Sequence, residues 1–271
     1  MPNVGKLDGK IIIVTGASRG LGEAMAVGYA EAGATLVLAA RTWADLERVA
    51  EDCNKAGAAA VTVAVTDVCQ AAAVEQLVSE TMRRHGRIDV FVANAGIGPA
   101  GASDKIYDEL TSYDLDAVQA ILTTNVIGVW LCMKNALPVM QSGSAFITIG
   151  SSTGRMAFPG TGIYGVSKAA ADKMTMIAAQ EVGPKGITVN CLSPGGAIDT
   201  PFFGPAGMPE SLKKFTDGAP ASIMVPAAVW LASDDARDIN GAWVRARQFN
   251  KLGPEGMRAE IAEASAVNQS R

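Results

Sequence analysis

A doubly wound α/β fold, with helices on both faces of a mainly parallel sheet, is what this 271-residue sequence predicts. Three observations predict it. Short β-branched runs alternate with longer, alanine-rich amphipathic segments. The runs are nearly continuous in apolar residues, as strands buried on both faces are. A glycine-rich turn joins the first run to the first amphipathic segment. Strand–helix alternation of this kind implies right-handed crossovers between parallel strands.

Taken in chain order, KIIIVTG is the first strand, and residues 21–32 form the helix that returns from it. ATLVLAAR and residues 43–56 repeat the unit, as do AAVTVAVTDV and residues 71–85. IDVFVANAG precedes a long helix over 114–141, SAFITIGS precedes another over 162–182, and GITVNCLSPG is the sixth strand. GAWVRARQF reads as a seventh, with Arg245 and Arg247 alternating on the face of Trp243 and Phe249. One segment breaks the rhythm. Residues 196–225 are rich in Gly, Pro, Phe and Met, and an irregular stretch of that length inside a domain is commonly a lid. Residues 1–253 are therefore expected to form one domain, with 254–271 a solvated helix or a disordered tail of no assigned role.

At 49% apolar residues the chain has material for one large core. A net charge of −4 without a basic block gives nucleic acid no electrostatic support. The N-terminus MPNVGKLDGK is polar, IIIV is too short for a signal segment, and no uninterrupted apolar stretch approaches a bilayer's span. Cys53, Cys69, Cys132 and Cys191 are widely spaced with no CxxC pair, which favours buried thiols over bridges or metal ligands. No metal site is expected, and a reducing, cytoplasmic setting fits.

In TGASRGLG, residues 15–22, Gly16, Gly20 and Gly22 allow a tight turn, close approach of a pyrophosphate and helix-on-strand packing. Ser18, Arg19 and Leu21 complete the turn, and the helix N-terminus adds free N–H groups. A plain strand-to-helix turn would carry the same glycines. An acid at the end of the second strand would select NAD, but LAARTW puts Ala40 there and Arg41 next. With Arg19, two guanidinium groups near one ribose favour the 2′-phosphate of NADP over NAD, although either arginine alone could be a solvated surface residue. Asp67 and Val68 end the third strand, where they can hold adenine. Asn94 and Gly96 end the fourth, where backbone passes close to the cofactor.

Tyr164 and Lys168 in YGVSK stand four apart and share a helix face. Ser151 ends the fifth strand, thirteen residues before Tyr164, and Asn125 falls midway along the long helix among apolar neighbours. Each has an ordinary reading: a core tyrosine, a surface cation, a helix cap, a buried backbone partner. The sequence owns one histidine, His85, in a turn-like RRHGRID far from the strands' carboxyl ends.

TGASRGLG, ANAG, Asn125, Ser151, YGVSK and SPGG, in that order, resemble the short-chain dehydrogenase/reductase family, in its single-domain branch, over roughly residues 7–235. The resemblance implies a Rossmann sheet of seven strands and a tetrad of Asn125, Ser151, Tyr164 and Lys168. Tyrosine ordinarily titrates near 10. A neighbouring ammonium and an oxidised nicotinamide both favour phenolate, so Tyr164 can exchange a proton with a carbonyl oxygen while Ser151 steadies the charge. Lys168 would also bind the nicotinamide ribose, and Asn125 would seat a water relaying protons to it. Pro194, Gly195, Ile198 and Thr200 are implied on the nicotinamide side, though Ile198 and Thr200 come one residue later than the family spacing. The implied partner is a small carbonyl or alcohol. Ile97, Pro99, Met156, Phe158, Ile163, Phe202, Phe203, Met208 and Phe215 as walls suggest an apolar ketone, secondary alcohol or 3-oxoacyl substrate, unless the aromatics only pin the lid. Family members often pair last strands in tetramers; Arg245 and Arg247 disfavour that, so of homodimer and homotetramer a dimer through the long helices is expected. The rivals are an NADP-binding redox sensor without turnover, or a dehydratase or epimerase on the same scaffold.

Overall fold

The computed structural model describes residues 4–98, 109–157, 160, 162–198, 200, 202, 208 and 219–269. Seven strands form one sheet: β1 (Ile11–Thr15), β2 (Thr35–Ala40), β3 (Ala60–Val65), β4 (Val90–Ala93), β5 (Ala145–Ile149), β6 (Thr188–Ser193) and β7 (Trp243–Arg245). Their order is β3-β2-β1-β4-β5-β6-β7, and every neighbouring pair is parallel. The crossovers leave β1 in opposite directions, so the carboxyl ends of β1 and β4 flank a crevice, the place where such sheets bind ligands.

The central strands are apolar throughout because each face buries a layer. Ile12, Val14, Leu36, Leu38, Val90 and Val92 pack under α1 (Gly20–Glu31) and α2 (Trp43–Ala56) on one side. Ile13, Val37, Phe91 and Phe146 pack on the other under α3 (Ala71–His85) and α6 (Gly162–Val182). Phe91 and Phe146 face each other across β4 and β5 with centroids 5.1 Å apart.

The long helix expected over 114–141 runs unbroken over Leu115–Ala136, as α4 (Leu115–Leu122), a π-helical turn (Thr123–Ile127) and α5 (Gly128–Ala136). The widened turn carries Asn125, which is wholly buried. By length and composition alone Leu115–Ala136 would cross a membrane. Here Ile121, Leu131, Cys132 and Ala136 face the protein interior.

The seventh strand is shorter than its alternating sequence predicts. After Val244 enters the core, Ala246 starts a helix instead of prolonging the strand. After α7 (Val225–Ala232), this final helix, α8 (Ala246–Gln269), places Ala246, Phe249 and Met257 against the core and kinks at Gly253, whose φ is 68°. The tail from 254 to 269 is thus a packed helix, held by Met257, and Arg245 and Arg247 do not share a strand face.

Candidate active site

A cavity of about 880 Å³ opens along the carboxyl ends of the strands, from the tips of β2 and β3 to those of β5 and β6. Its floor is the turn from β1 to α1. Gly16 and Gly20 hold φ of 64° and 61°, which side chains resist. A Cβ on Gly22 would lie 2.2 Å from the Gly16 carbonyl oxygen and 2.5 Å from Asn94 Nδ2. That amide donates to Thr15 O at 2.8 Å and Gly16 O at 3.0 Å, stitching the end of β4 to the glycine turn. The N-cap of α1 is Arg19, with no side-chain oxygen on the first N–H groups, so the helix end presents bare donors. Arg48 pins the turn from outside: it donates to Ser18 O at 3.1 Å and pairs with Glu23 at 2.7 Å.

At the β2–β3 end the walls are Ala40, Arg41, Thr42, Asp45, Asp67, Val68 and Cys69. Arg41 and Arg19 are both exposed side chains on this wall. Asp67 Oδ1 accepts from the Cys69 N–H at 2.9 Å, closing the turn that leaves β3.

At the other end, α6 carries Tyr164 and Lys168 on one face, 8% and 6% exposed, and both line the cavity with Ser151. The Lys168 ammonium lies 5.8 Å from the Tyr164 ring centroid and donates to Ile149 O at 2.8 Å. Burial pulls its pKa from 10.5 to about 8, against a smaller opposing effect of Cys191. Ser151 heads a short 3₁₀ turn, Ser152–Gly154, and its Oγ accepts from Thr153 Oγ1 at 2.9 Å. A Cβ on Gly154 would lie 2.8 Å from the Lys168 carbonyl carbon, so this turn rests on the backbone of α6. Asn125 lies behind the wall. Its Oδ1 accepts from Ile97 N at 2.9 Å, and its Nδ2 donates to Ile97 O at 2.8 Å and Ser167 Oγ at 3.0 Å.

Two layers of backbone turn, a bare helix end and a buried lysine beside a tyrosine make a dinucleotide cleft with acid–base groups at one end. The family model described as Enoyl-(Acyl carrier protein) reductase matches residues 16–246. The chain belongs to the short-chain dehydrogenase/reductase family. An uncharacterized oxidoreductase of Methylorubrum extorquens is 34% identical over 250 residues, 89% of this chain and 97% of that protein. An NADPH-dependent aldehyde reductase-like protein, chloroplastic, of Arabidopsis thaliana is 34% identical over 251 residues, 87% of this chain and 92% of that one. A dehydrogenase/reductase from Sinorhizobium meliloti 1021 superposes with a TM-score of 0.79 at 28% identity, covering 89% of this chain and 94% of that one. As an oxidoreductase of this family, the protein acts on CH–OH or C=O groups with NAD(P)(H).

In this short-chain dehydrogenase/reductase, most of the residues singled out by sequence meet in the one cavity. Gly16, Ser18, Arg19, Gly20, Leu21, Gly22, Arg41, Asp67, Val68, Asn94, Gly96, Ser151, Tyr164, Lys168, Pro194, Ile198 and Thr200 all line it. Two do not. Gly195 turns its back on the cavity toward Arg245 and Arg247. Asn125 lies behind the wall, and its side chain braces Ile97 through both of that residue's backbone polar groups. Of the expected substrate walls, Ile97 and Phe202 line the cavity, while Met156, Ile163 and Met208 do not; Pro99, Phe158, Phe203 and Phe215 lie outside the described residues. Phe202 meets the Tyr164 ring edge-on at 5.2 Å. His85 closes α3 and is not on this wall; burial and Arg84 lower its pKa. Cys53, Cys132 and Cys191 are buried and Cys69 is on the cavity wall, all four free. Sequence reasoning missed Arg48, Asp45 and Thr15, whose Oγ1 accepts from the N–H groups of Asn94 and Ala95. No local pattern marks residues that act across 25 to 80 positions.

Proposed function

We propose that this protein is an NADP(H)-dependent carbonyl reductase or alcohol dehydrogenase acting on mainly apolar ketones, secondary alcohols or 3-oxoacyl groups. The observation that carries the reading is the buried Lys168 ammonium beneath Tyr164, in the same cavity as the glycine turn. The turn fits a pyrophosphate because Gly16 and Gly20 take the positive φ of a tight turn, Gly22 lets α1 close on the Gly16 carbonyl, and α1 opens on the turn without a cap. When bound, nicotinamide supplies or receives the hydride. Tyr164 gives its phenolic proton to the carbonyl oxygen during reduction and takes it back during oxidation. Lys168, charged below about 8, favours the negative phenol oxygen that this leaves. Ser151 Oγ donates to the same carbonyl oxygen, and its contact with Thr153 fixes its direction. Asn125 holds Ile97 as a wall of the substrate space. Arg19 and Arg41 support NADP, as does the similarity to the NADPH-dependent aldehyde reductase-like protein of Arabidopsis thaliana; Asp45 is a carboxylate that opposes it on the same wall.

The test is a panel of carbonyls and alcohols followed by the absorbance of reduced cofactor, with NADPH and NADH side by side. Apolar ketones with NADPH are expected to turn over fastest. Tyr164→Phe is expected to bind NADPH as before and lose roughly 10²- to 10⁴-fold in turnover. A clear preference for NADH removes the role of the two arginines, faster turnover of sugar phosphates removes the apolar pocket, and retained turnover in the variant removes the role of Tyr164.

The assembly this reading favours is a homodimer through the long helices. Ile127 and Trp130 leave apolar surface on one helical run, and Val166, Met176 and Ile177 leave an exposed stripe at helical spacing on α6. Sedimentation equilibrium is expected to give twice the chain mass; a monomer at micromolar concentration would contradict it.

A further inference from the structure

Ile198 and Thr200 stand late in the sequence, yet both line the cavity, and Thr200 reaches the glycine turn: a Cβ on Gly20 would lie 3.6 Å from Thr200 Cβ. The segment Pro194–Ala197 just before them winds round Arg247. The Arg247 N–H donates to Pro194 O at 3.3 Å, and its Nη2 donates to Ala197 O at 3.1 Å. Between these bonds the arginine fills the space where side chains would project. A Cβ on Gly195 would lie 3.5 Å from Arg247 Cβ, and one on Gly196 would lie 2.9 Å from Arg247 Nε. Gly195 also holds a φ of 80°. The glycine pair and the arginine, far apart in sequence, are therefore complementary parts of one turn. The post itself is firm. Arg247 is the second residue of α8, in its first turn directly after β7, and Arg245 at the end of β7 pairs with Glu260 further along that helix.

Arg247 is not on the cavity wall, whereas Gly196, Ala197 and Ile198 are, so the arginine grips this wall from behind.

We propose that Arg247 is a positioning residue for the nicotinamide end of the cofactor. It touches neither cofactor nor substrate; it holds the Pro194–Ile198 wall in the shape that would receive that end of the cofactor. The inference rests on the NADP(H) reading above. It predicts that the two ends of the cofactor respond differently when the arginine is changed.

The experiment measures dissociation constants for NADPH and for adenosine 2′,5′-bisphosphate, which lacks the nicotinamide half, on wild type, Arg247→Met and Arg247→Lys. Methionine keeps the stem against the glycines and removes the donor. The expected result is a rise of roughly ten-fold in the NADPH constant for Arg247→Met, the worth of one ordered hydrogen bond. The bisphosphate constant is expected to stay within about two-fold, and Arg247→Lys to recover part of the NADPH affinity. Equal weakening of both ligands would make the arginine merely structural and overturn the proposal, as would an unchanged NADPH constant. A second pair guards against a variant that folds poorly. Gly196→Ala is expected to weaken NADPH in the wild type and to have little further effect in Arg247→Ala, because the obstructing guanidinium is then gone; additive losses overturn the complementarity. A wild type that binds neither ligand overturns the cofactor reading itself, whereas one that binds both as Arg247→Met does overturns only the role of Arg247.

Discussion

At the glycine turn main chain lies on main chain, while beyond the tips of β4, β5 and β6 polar side chains hold carbonyls in place. A Cβ on Gly22 would meet the Gly16 carbonyl oxygen at 2.2 Å, and nothing in that contact can rotate aside. At the other end Lys168 grips Ile149 O, Asn125 grips both polar atoms of Ile97, and Arg247 grips Ala197 O. The phosphate end is thus specified by the absence of atoms, and the reaction end by donors and charge. The first is insensitive to pH and intolerant of volume. The second tolerates volume better and depends on which protons are present.

The largest effect that separates the two ends is expected from Gly22→Ala. Its methyl group overlaps backbone on one side and the Asn94 amide on the other, so either the turn or the end of β4 must shift. Overpacking of this kind costs about 3 kcal/mol at its upper range. Because the displaced atoms form the phosphate floor, NADPH affinity is expected to fall by roughly a hundred-fold or more, given that about 1.4 kcal/mol is a factor of ten. Urea melts at pH 6, 7.5 and 9 should show the same loss of stability at each pH. A loss that varied strongly with pH would mean that this end, too, rests on charge.

How much of this was legible in the sequence follows the same division. The strands β1 to β6 and the helices over 43–56, 71–85 and 162–182 are readable because each satisfies a local rule: continuous apolar residues in a buried strand, or helical spacing of buried ones. The glycine turn is readable because its demands fall within eight residues. The arginines of GAWVRARQF mislead, because five alternating residues fit a strand as well as the start of a helix. Only the burial of Phe249 and Met257 against α7 and its neighbours decides for the helix. The π-helical turn at Asn125 depends on Ile97 and Ser167, and the seating of Gly195 and Gly196 depends on Arg247. These are long-range contacts, and they leave no periodicity behind. Ser18 is held by Arg48 in the same silent way.

A smaller effect, opposite in sign, is expected from Lys168→Met at the reaction end. In the unfolded chain a lysine titrates near 10.4. In the fold, burial lowers Lys168 to about 8. Between those two values the unfolded chain binds the extra proton, so the wild type gains stability as pH rises from about 8 and the gain is complete above the unfolded value. Below about 8 both states are charged, and the wild type bears the full cost of a buried ammonium. Methionine removes that cost but leaves Ile149 O without its donor. The two oppose each other, so near pH 7 the variant is expected to be more stable by only about 1 kcal/mol. The difference should narrow or reverse by on the order of 2 kcal/mol between pH 8 and 10.5, as the wild-type lysine discharges. Paired urea melts across that range cancel the titration of every other group. Parallel curves for the two proteins would mean that Lys168 keeps an ordinary lysine's proton affinity, and the reaction end would then owe its shape to packing, as the glycine turn does.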